Sequence, residues 1–128
     1  MAFAQPAMLR RMGGPAASIR FRIRICKGDD IAIGPGKVDL LEAIDAMGSI
    51  TAAARSLGMS YRRAWLLVDT MNRCFEAPVV EAEAGGRRGG GTRLTPLGQE
   101  LVRRYRTLEA KARKATAGDL AALAKLLR

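Results

Sequence analysis

At 128 residues the chain has room for one compact domain, and it carries 22 Lys and Arg against 12 Asp and Glu, a formal charge of +10. That excess attracts polyanions, so nucleic acid, anionic membrane and acidic proteins are the partner classes to weigh. There is no histidine, which removes the usual general base and the commonest zinc ligand. With no paired-carboxylate motif or nucleophile elbow in its place, an enzyme is not expected and no cofactor is predicted within the chain.

Residues 1–17, "MAFAQPAMLRRMGGPAA", lack periodicity and read as a flexible basic tail. Arg10 and Arg11 follow the weakly apolar stretch, the wrong order for a signal peptide. No run approaches the roughly 18 apolar residues of a membrane span, so a cytoplasmic protein with no membrane partner is expected. Next, "SIRFRIRI" alternates Ile19, Phe21, Ile23 and Ile25 with Arg20, Arg22 and Arg24. Period two predicts a strand over 18–25 with one buried face, its arginine row being a charged, solvated edge in preference to a binding face. After a turn at Gly28-Asp29-Asp30 and the "GPG" at 34–36, "KVDLLEAIDAMG" places Val38, Leu41, Ile44 and Met47 at helical spacing, and Gly48 stops it. "SITAAARSLG" is a short helix capped by Ser49, with Ile50, Ala53, Ala54 and Leu57 on a narrow face; Gly58 turns the chain and Ser60 caps "YRRAWLLVDTMNRCF". A helix, a small-residue helix, a glycine turn and a longer helix make a helix-turn-helix.

Divided at about 100° per residue, the third helix gathers Tyr61, Ala64, Trp65, Val68, Met71 and Phe75 on one side, which the pattern assigns to the core. Arg62, Arg63, Leu66, Thr70 and Arg73 fall on the other, with Ser60 at the start, and these are the candidate DNA contacts. Arginine forks suit guanine O6 and N7, and the apolar atoms of Leu66 and Thr70 suit a thymine methyl. Arginine enrichment alone would also follow from GC-rich codons. Cys26 and Cys74 lie far apart without CxxC spacing, so they read as isolated core thiols in a reducing compartment.

The stretch "PVVEAEAGGRRGGGTRLTP" reads as a hairpin, Val79-Val80-Glu81 returning through Arg93-Leu94-Thr95. A nucleotide-binding loop is excluded because Gly91 stands where the lysine belongs and the segment leads back into a strand. A hairpin directly after a recognition helix is a wing, whose Arg87, Arg88 and Arg93 would meet phosphates or the minor groove. From Thr95-Pro96 a long helix should run to about Ala115, with Leu97, Leu101, Tyr105, Leu108 and Ala112 in a stripe that nothing else in the chain obviously covers. Pairing with a second copy would bury it. After Gly118, "DLAALAKLLR" reads as one more short helix. The expected fold is mainly α with a small antiparallel β-sheet: a tail at 1–17, a winged helix-turn-helix at 18–95, and a dimerisation helix plus short terminal helix at 96–128.

The segments "GSITAAARSLGMSYRRAWLLVDTMN" and "GGRRGGGTRLTPLGQEL", in that order, resemble the amino-terminal DNA-binding domain of the ModE family of molybdate-responsive transcriptional regulators. The resemblance covers residues 19–115; the helix-turn-helix half is also distantly similar to LysR-type regulators, which lack the glycine-rich wing. It implies a winged helix with a dimerising terminal helix, a recognition helix at Ser60–Phe75 and a wing at Gly85–Gly91. It also implies homodimer binding to double-stranded operators of molybdate-uptake and molybdoenzyme genes. Full-length members continue into oxyanion-binding modules that this chain is expected to lack, so molybdate would act only through a separate molybdate-binding protein. Two other classes stay open: a protein–protein adaptor on a winged-helix fold, and a small oxyanion-binding protein using the Gly-Arg loop as an anion nest.

Overall fold

A computed structural model describes residues 17–83 and 91–128, in the order β1 (Ile25–Lys27), β2 (Asp30–Ile33), α1 (Pro35–Met47), α2 (Ile50–Ser56), α3 (Tyr61–Cys74), β3 (Val80–Glu83), β4 (Gly91–Leu94) and α4 (Pro96–Ala124). The wing-tip arginines Arg87 and Arg88 and the tail at 1–16 lie outside the described residues. The chain forms two compact units, one of Arg22–Thr107 and one joining the residues up to Phe21 with Leu108–Arg128.

The first unit is mainly helical with two small antiparallel hairpins, as the sequence pattern predicts. Helix α1 begins on Pro35, whose fixed φ suits a first turn, and ends where Gly48, at φ 68°, donates its N–H to the Ile44 carbonyl at 2.8 Å. It buries Val38, Leu40, Leu41 and Ile44, while Met47, expected inside, is 48% exposed. Helix α2 presents Ala53 and Ala54, both buried, so α1, α2 and α3 approach closely around them. Ser49 and Ser60 accept from the Ala52 and Arg63 N–H groups at 3.1 Å each, the caps that their positions predict. Met71, Val79, Val80, Leu94 and Tyr105 complete the core.

The strand expected over 18–25 is mostly absent. Regular pairing is confined to Ile25–Lys27 against Asp30–Ile33, with a register shift between Ile25 and Cys26. The reason is partner length: β2 has four residues and α1 starts at Pro35, so no backbone is left to pair with 18–24. Alternation persists without a ladder, half-buried at Ile23 and exposed at Arg22 and Arg24. Instead of a strand neighbour, the Ile23 carbonyl accepts the Tyr105 hydroxyl at 2.6 Å.

That contact also corrects the premise about the long helix. Tyr105 is only 2% exposed, and Leu97, Leu101 and Val102 are half-buried against the domain's own core. Gln99 donates to Asp45 at 2.8 Å, and Arg106 pairs with Asp39 at 2.7 Å and with Glu42, so acidic residues of α1 receive the first half of α4. A second copy is not needed to cover Leu97, Leu101 or Tyr105. Nor does a separate short helix follow Gly118, because α4 runs through it to Ala124. A helical glycine costs only about 1 kcal/mol against alanine, and the strong helix formers Ala115, Ala117, Ala121 and Ala122 flank it. In the second unit α4 is thus one uninterrupted helix, with Leu108 and Leu123 exposed at 39% and 59%.

The two glycines of α4 predict opposite responses to alanine. A Cβ at Gly98 would lie 2.2 Å from the Val79 carbonyl oxygen, whereas one at Gly118 meets nothing within 4 Å. Gly98→Ala should lose about 1–3 kcal/mol and Gly118→Ala should gain about 0.5–1 kcal/mol, both read from urea unfolding. Equal signs would refute the close approach.

Candidate nucleic-acid interface

Helix α3 buries a narrow stripe, Ala64, Val68 and Met71. Tyr61 and Trp65, expected in the core, are 54% and 48% exposed, and Leu66 is 50% exposed. The correction has a geometric cause: Trp65 lies roughly 90° around the helix from the centre of the buried stripe, and Tyr61 sits in a first turn with less of the core beside it. The amino-terminal half of α3 therefore offers Tyr61, Arg62, Arg63, Trp65 and Leu66 together. Neither Arg62 nor Arg63 has a side-chain hydrogen bond or ion pair among the described residues.

Its carboxy-terminal half is engaged elsewhere. The Thr70 hydroxyl donates back to the Leu66 carbonyl at 3.0 Å. Arg73 donates to Asp69 at 3.1 Å and reaches Asp30 at 3.9 Å. Ser60 is exposed, with its hydroxyl oxygen accepting as the cap of α3. The structure thus brings Ser60, Arg62, Arg63 and Leu66 onto one open surface, while Thr70 and Arg73 lie further along α3 with local partners.

The wing pairs Val80 with Leu94, Glu81 with Arg93 and Glu83 with Gly91, so its strands reach two residues further towards the tip than the expected Val79–Glu81 and Arg93–Thr95, while Val79 and Thr95 fall outside them. Arg93 is held across the hairpin by Glu81 at 3.0 Å. The tip-side end of β4 is fastened to the junction of α1 and α2, where the Thr92 N–H donates to the Gly48 carbonyl at 2.9 Å. Gly91 is required by that approach, since a Cβ there would stand 2.7 Å from the same oxygen.

Sequence reasoning missed the residue that joins helix to wing. Asn72 accepts the Val79 N–H at 2.8 Å and the Val80 N–H at 3.3 Å, and donates its amide to the Val80 carbonyl at 3.3 Å. The only signal was an amide two residues before the end of an amphipathic helix. Among the described residues no group of three or more His, Cys, Asp or Glu side chains could hold a metal. Asn72→Leu leaves the buried Val79 N–H without its acceptor and should cost about 1–3 kcal/mol in denaturant unfolding; a loss below the error of the method would show the clasp to be dispensable.

A family profile described as "Bacterial regulatory helix-turn-helix protein, lysR family" matches residues 36–99, half of the chain. The molybdenum transport protein ModE of Azotobacter vinelandii is 39% identical over 121 residues, covering 84% of this chain and 45% of that protein. The molybdenum-pterin-binding protein MopA of Rhodobacter capsulatus is 47% identical over 83 residues, covering 65% of this chain and 31% of MopA. The DNA-binding transcriptional dual regulator ModE of Escherichia coli K12 is 40% identical over 81 residues, 63% of this chain and 31% of the regulator. The chain thus spans less than half the length of these curated relatives. In three dimensions the crystallised CbnR_DBD–DNA complex superposes with a TM-score of 0.52 at 22% identity, covering 68% of this chain and 95% of that one, a likeness of fold. The chain therefore belongs to the lysR family of bacterial regulatory helix-turn-helix proteins, and its winged helix is a DNA-binding domain of the ModE type.

Proposed function

We propose that the protein is a dimeric, sequence-specific transcriptional regulator, not an enzyme, that reads double-stranded operators of molybdenum-transport or molybdoenzyme genes in the cytoplasm. The observation that carries this reading is the exposed amino-terminal half of α3, where Arg62 and Arg63, without partners among the described residues, flank exposed Leu66, and Trp65 and Tyr61 are exposed further round the same turns. Asp69, the acidic residue nearest that face, is paired with Arg73. A face made only for solvent would not leave two aromatic rings and two unpaired arginines together. The gene targets are inferred from the names of the relatives, a molybdenum transport protein and a transcriptional dual regulator among them.

In this mechanism α3 enters the major groove by its amino-terminal half. Arg62 and Arg63 reach guanine edges, Leu66 covers a thymine methyl, and Trp65 and Tyr61 pack on sugar or base edges. Ser60 retains a hydroxyl proton for a phosphate. Arg93, Arg73 and Thr70 flank this centre, and wing arginines Arg87 and Arg88 contact the backbone. The dimer contact is assigned to the distal part of α4, where Leu108 and Leu123 are exposed and Ala112 shares their helix.

The test is fluorescence anisotropy near physiological salt, with DNA from upstream of the protein's own gene cluster against a scrambled duplex. An affinity ratio of about 10³ or more is expected; a ratio near one, steeply salt-dependent on both, would leave only counterion-driven binding. Arg62→Ala should cost about 1–3 kcal/mol on the operator and little on scrambled DNA, while Arg87→Ala should weaken both alike. Equal losses from the two substitutions would overturn the division of roles. Leu123→Glu should shift the chain from dimer to monomer in sedimentation equilibrium without lowering the affinity of one half-site.

A further inference from the structure

Beside Arg63, on the side of α3 turned away from Trp65, the first unit holds a cavity of about 270 Å³ lined by Arg22, Arg24, Lys37 and Arg63, with Ile31 and Leu67 in its wall. Four cationic side chains and no acidic one line it. Arg22, Arg24 and Arg63 have no hydrogen-bond or ion-pair partner for their guanidinium groups among the described residues, whereas Arg73, Arg93, Arg104 and Arg106 are all paired. Like charges gathered around a concavity repel one another unless an anion joins them. Burial, the largest influence, holds the Lys37 ammonium below the ordinary lysine range; nearby Arg24 and Arg63 lower it further, against the opposing pull of Cys74 and Asp30.

A second feature opens on the same space. The backbone of Gly34, Pro35 and Gly36 also lines the cavity, and Gly34 caps α1 with no side-chain hydrogen bond. The position normally filled by a serine or aspartate oxygen is open. A Cβ at Gly34 would meet Arg24 Cγ at 3.4 Å and nothing nearer, so a capping side chain is sterically admissible there. The first-turn N–H groups of Gly36 and Lys37 precede the first helical bond, from Val38 N–H to the Gly34 carbonyl at 3.0 Å.

We propose that this cavity seats one phosphate of the DNA backbone, flanking the groove entered by α3, with Arg22, Arg24, Lys37 and the first turn of α1 as its ligands. The proposal rests on the DNA-binding reading. It is tied to that reading by Arg63, which stands in the first turn of α3 and also lines the cavity. Arg22 and Arg24 of the exposed arginine row would thereby gain a ligand; Arg20 does not line the cavity.

Three variants of the full chain, Lys37→Gln, Arg24→Gln and Gly34→Asp, would be titrated with operator and scrambled duplexes across a series of KCl concentrations, after thermal melts. Lys37→Gln and Arg24→Gln should each weaken both duplexes alike and reduce the slope of log K against log salt by about one. Gly34→Asp supplies a carboxylate to the cap from within, so its Tm should be no lower than that of the parent while its affinity for both duplexes falls roughly tenfold. Parental affinity and salt slope in all three would overturn the seat while leaving the regulator reading intact. Binding of inorganic phosphate in calorimetry, lost in Lys37→Gln with DNA binding unchanged, would overturn the DNA backbone as the source of the anion. A parent chain with no affinity for either duplex would overturn the regulator reading, and the seat with it.

Discussion

One short piece of backbone, Pro78–Val80, fixes the relation between the recognition helix, the wing and the start of α4. Asn72 of α3 takes two of its N–H groups, at 2.8 and 3.3 Å. Thr95 donates its hydroxyl to the Pro78 carbonyl at 2.7 Å and its own N–H to the Val79 carbonyl at 3.0 Å. Gly98 lets the first turn of α4 lie against that same carbonyl, and its N–H is capped by Thr95 Oγ1 at 3.1 Å. Each hydrogen bond adds only about 1 kcal/mol net, but leaving a buried partner unsatisfied costs about 1–3 kcal/mol. None of the three elements can shift without breaking bonds made by the others. The angle between the arginines of α3 and the wing is set by these contacts and not by flexible side chains.

The small size of the residues buried on α2 and at the start of α3 has a functional consequence. Ala53, Ala54 and Ala64 fill little volume, so the helices pack closely and a thin stripe suffices to hold α3. The rest of its circumference is left for Arg62, Arg63, Trp65 and Leu66. Exposure of a tryptophan and a tyrosine in a monomer has a cost in solubility, and contact with another molecule is the usual physical reason for retaining them. The bulkier core side chains come from Ile33 of β2, from α1, from Met71 further along α3, and from Val79, the wing strands and Tyr105.

Pairing sorts the arginines. Arg73, Arg93, Arg104 and Arg106 have carboxylate partners at 2.6 to 3.1 Å or in bridging pairs. Such exposed pairs add about 0–1 kcal/mol to stability; their larger effect is to neutralise charge where they lie. The remaining positive field of a chain with net charge +10 then has contributors at the amino-terminal half of α3 and the mouth of the cavity beside α1. Charges left without partners are those whose field reaches an approaching polyanion.

Local chemistry was legible in the sequence because it depends on residues three or four apart. The caps at Ser49 and Ser60, the stop at Gly48 and the helix-turn-helix spacing all follow from near neighbours, and the structure shows each of them. Where a pattern needed a partner distant in the chain, the sequence was ambiguous. "SIRFRIRI" alternates as a strand should, yet β2 is too short to pair with most of it. Trp65 fits an apolar face, but only the width of the packed stripe decides that it lies outside. The stripe on α4 looked uncovered until Tyr105 met the Ile23 carbonyl, 82 residues away in sequence. Asn72 as a clasp and the cation-lined cavity have no sequence signature, because each is assembled from backbone and side chains that only the tertiary fold brings within hydrogen-bonding or Coulombic range.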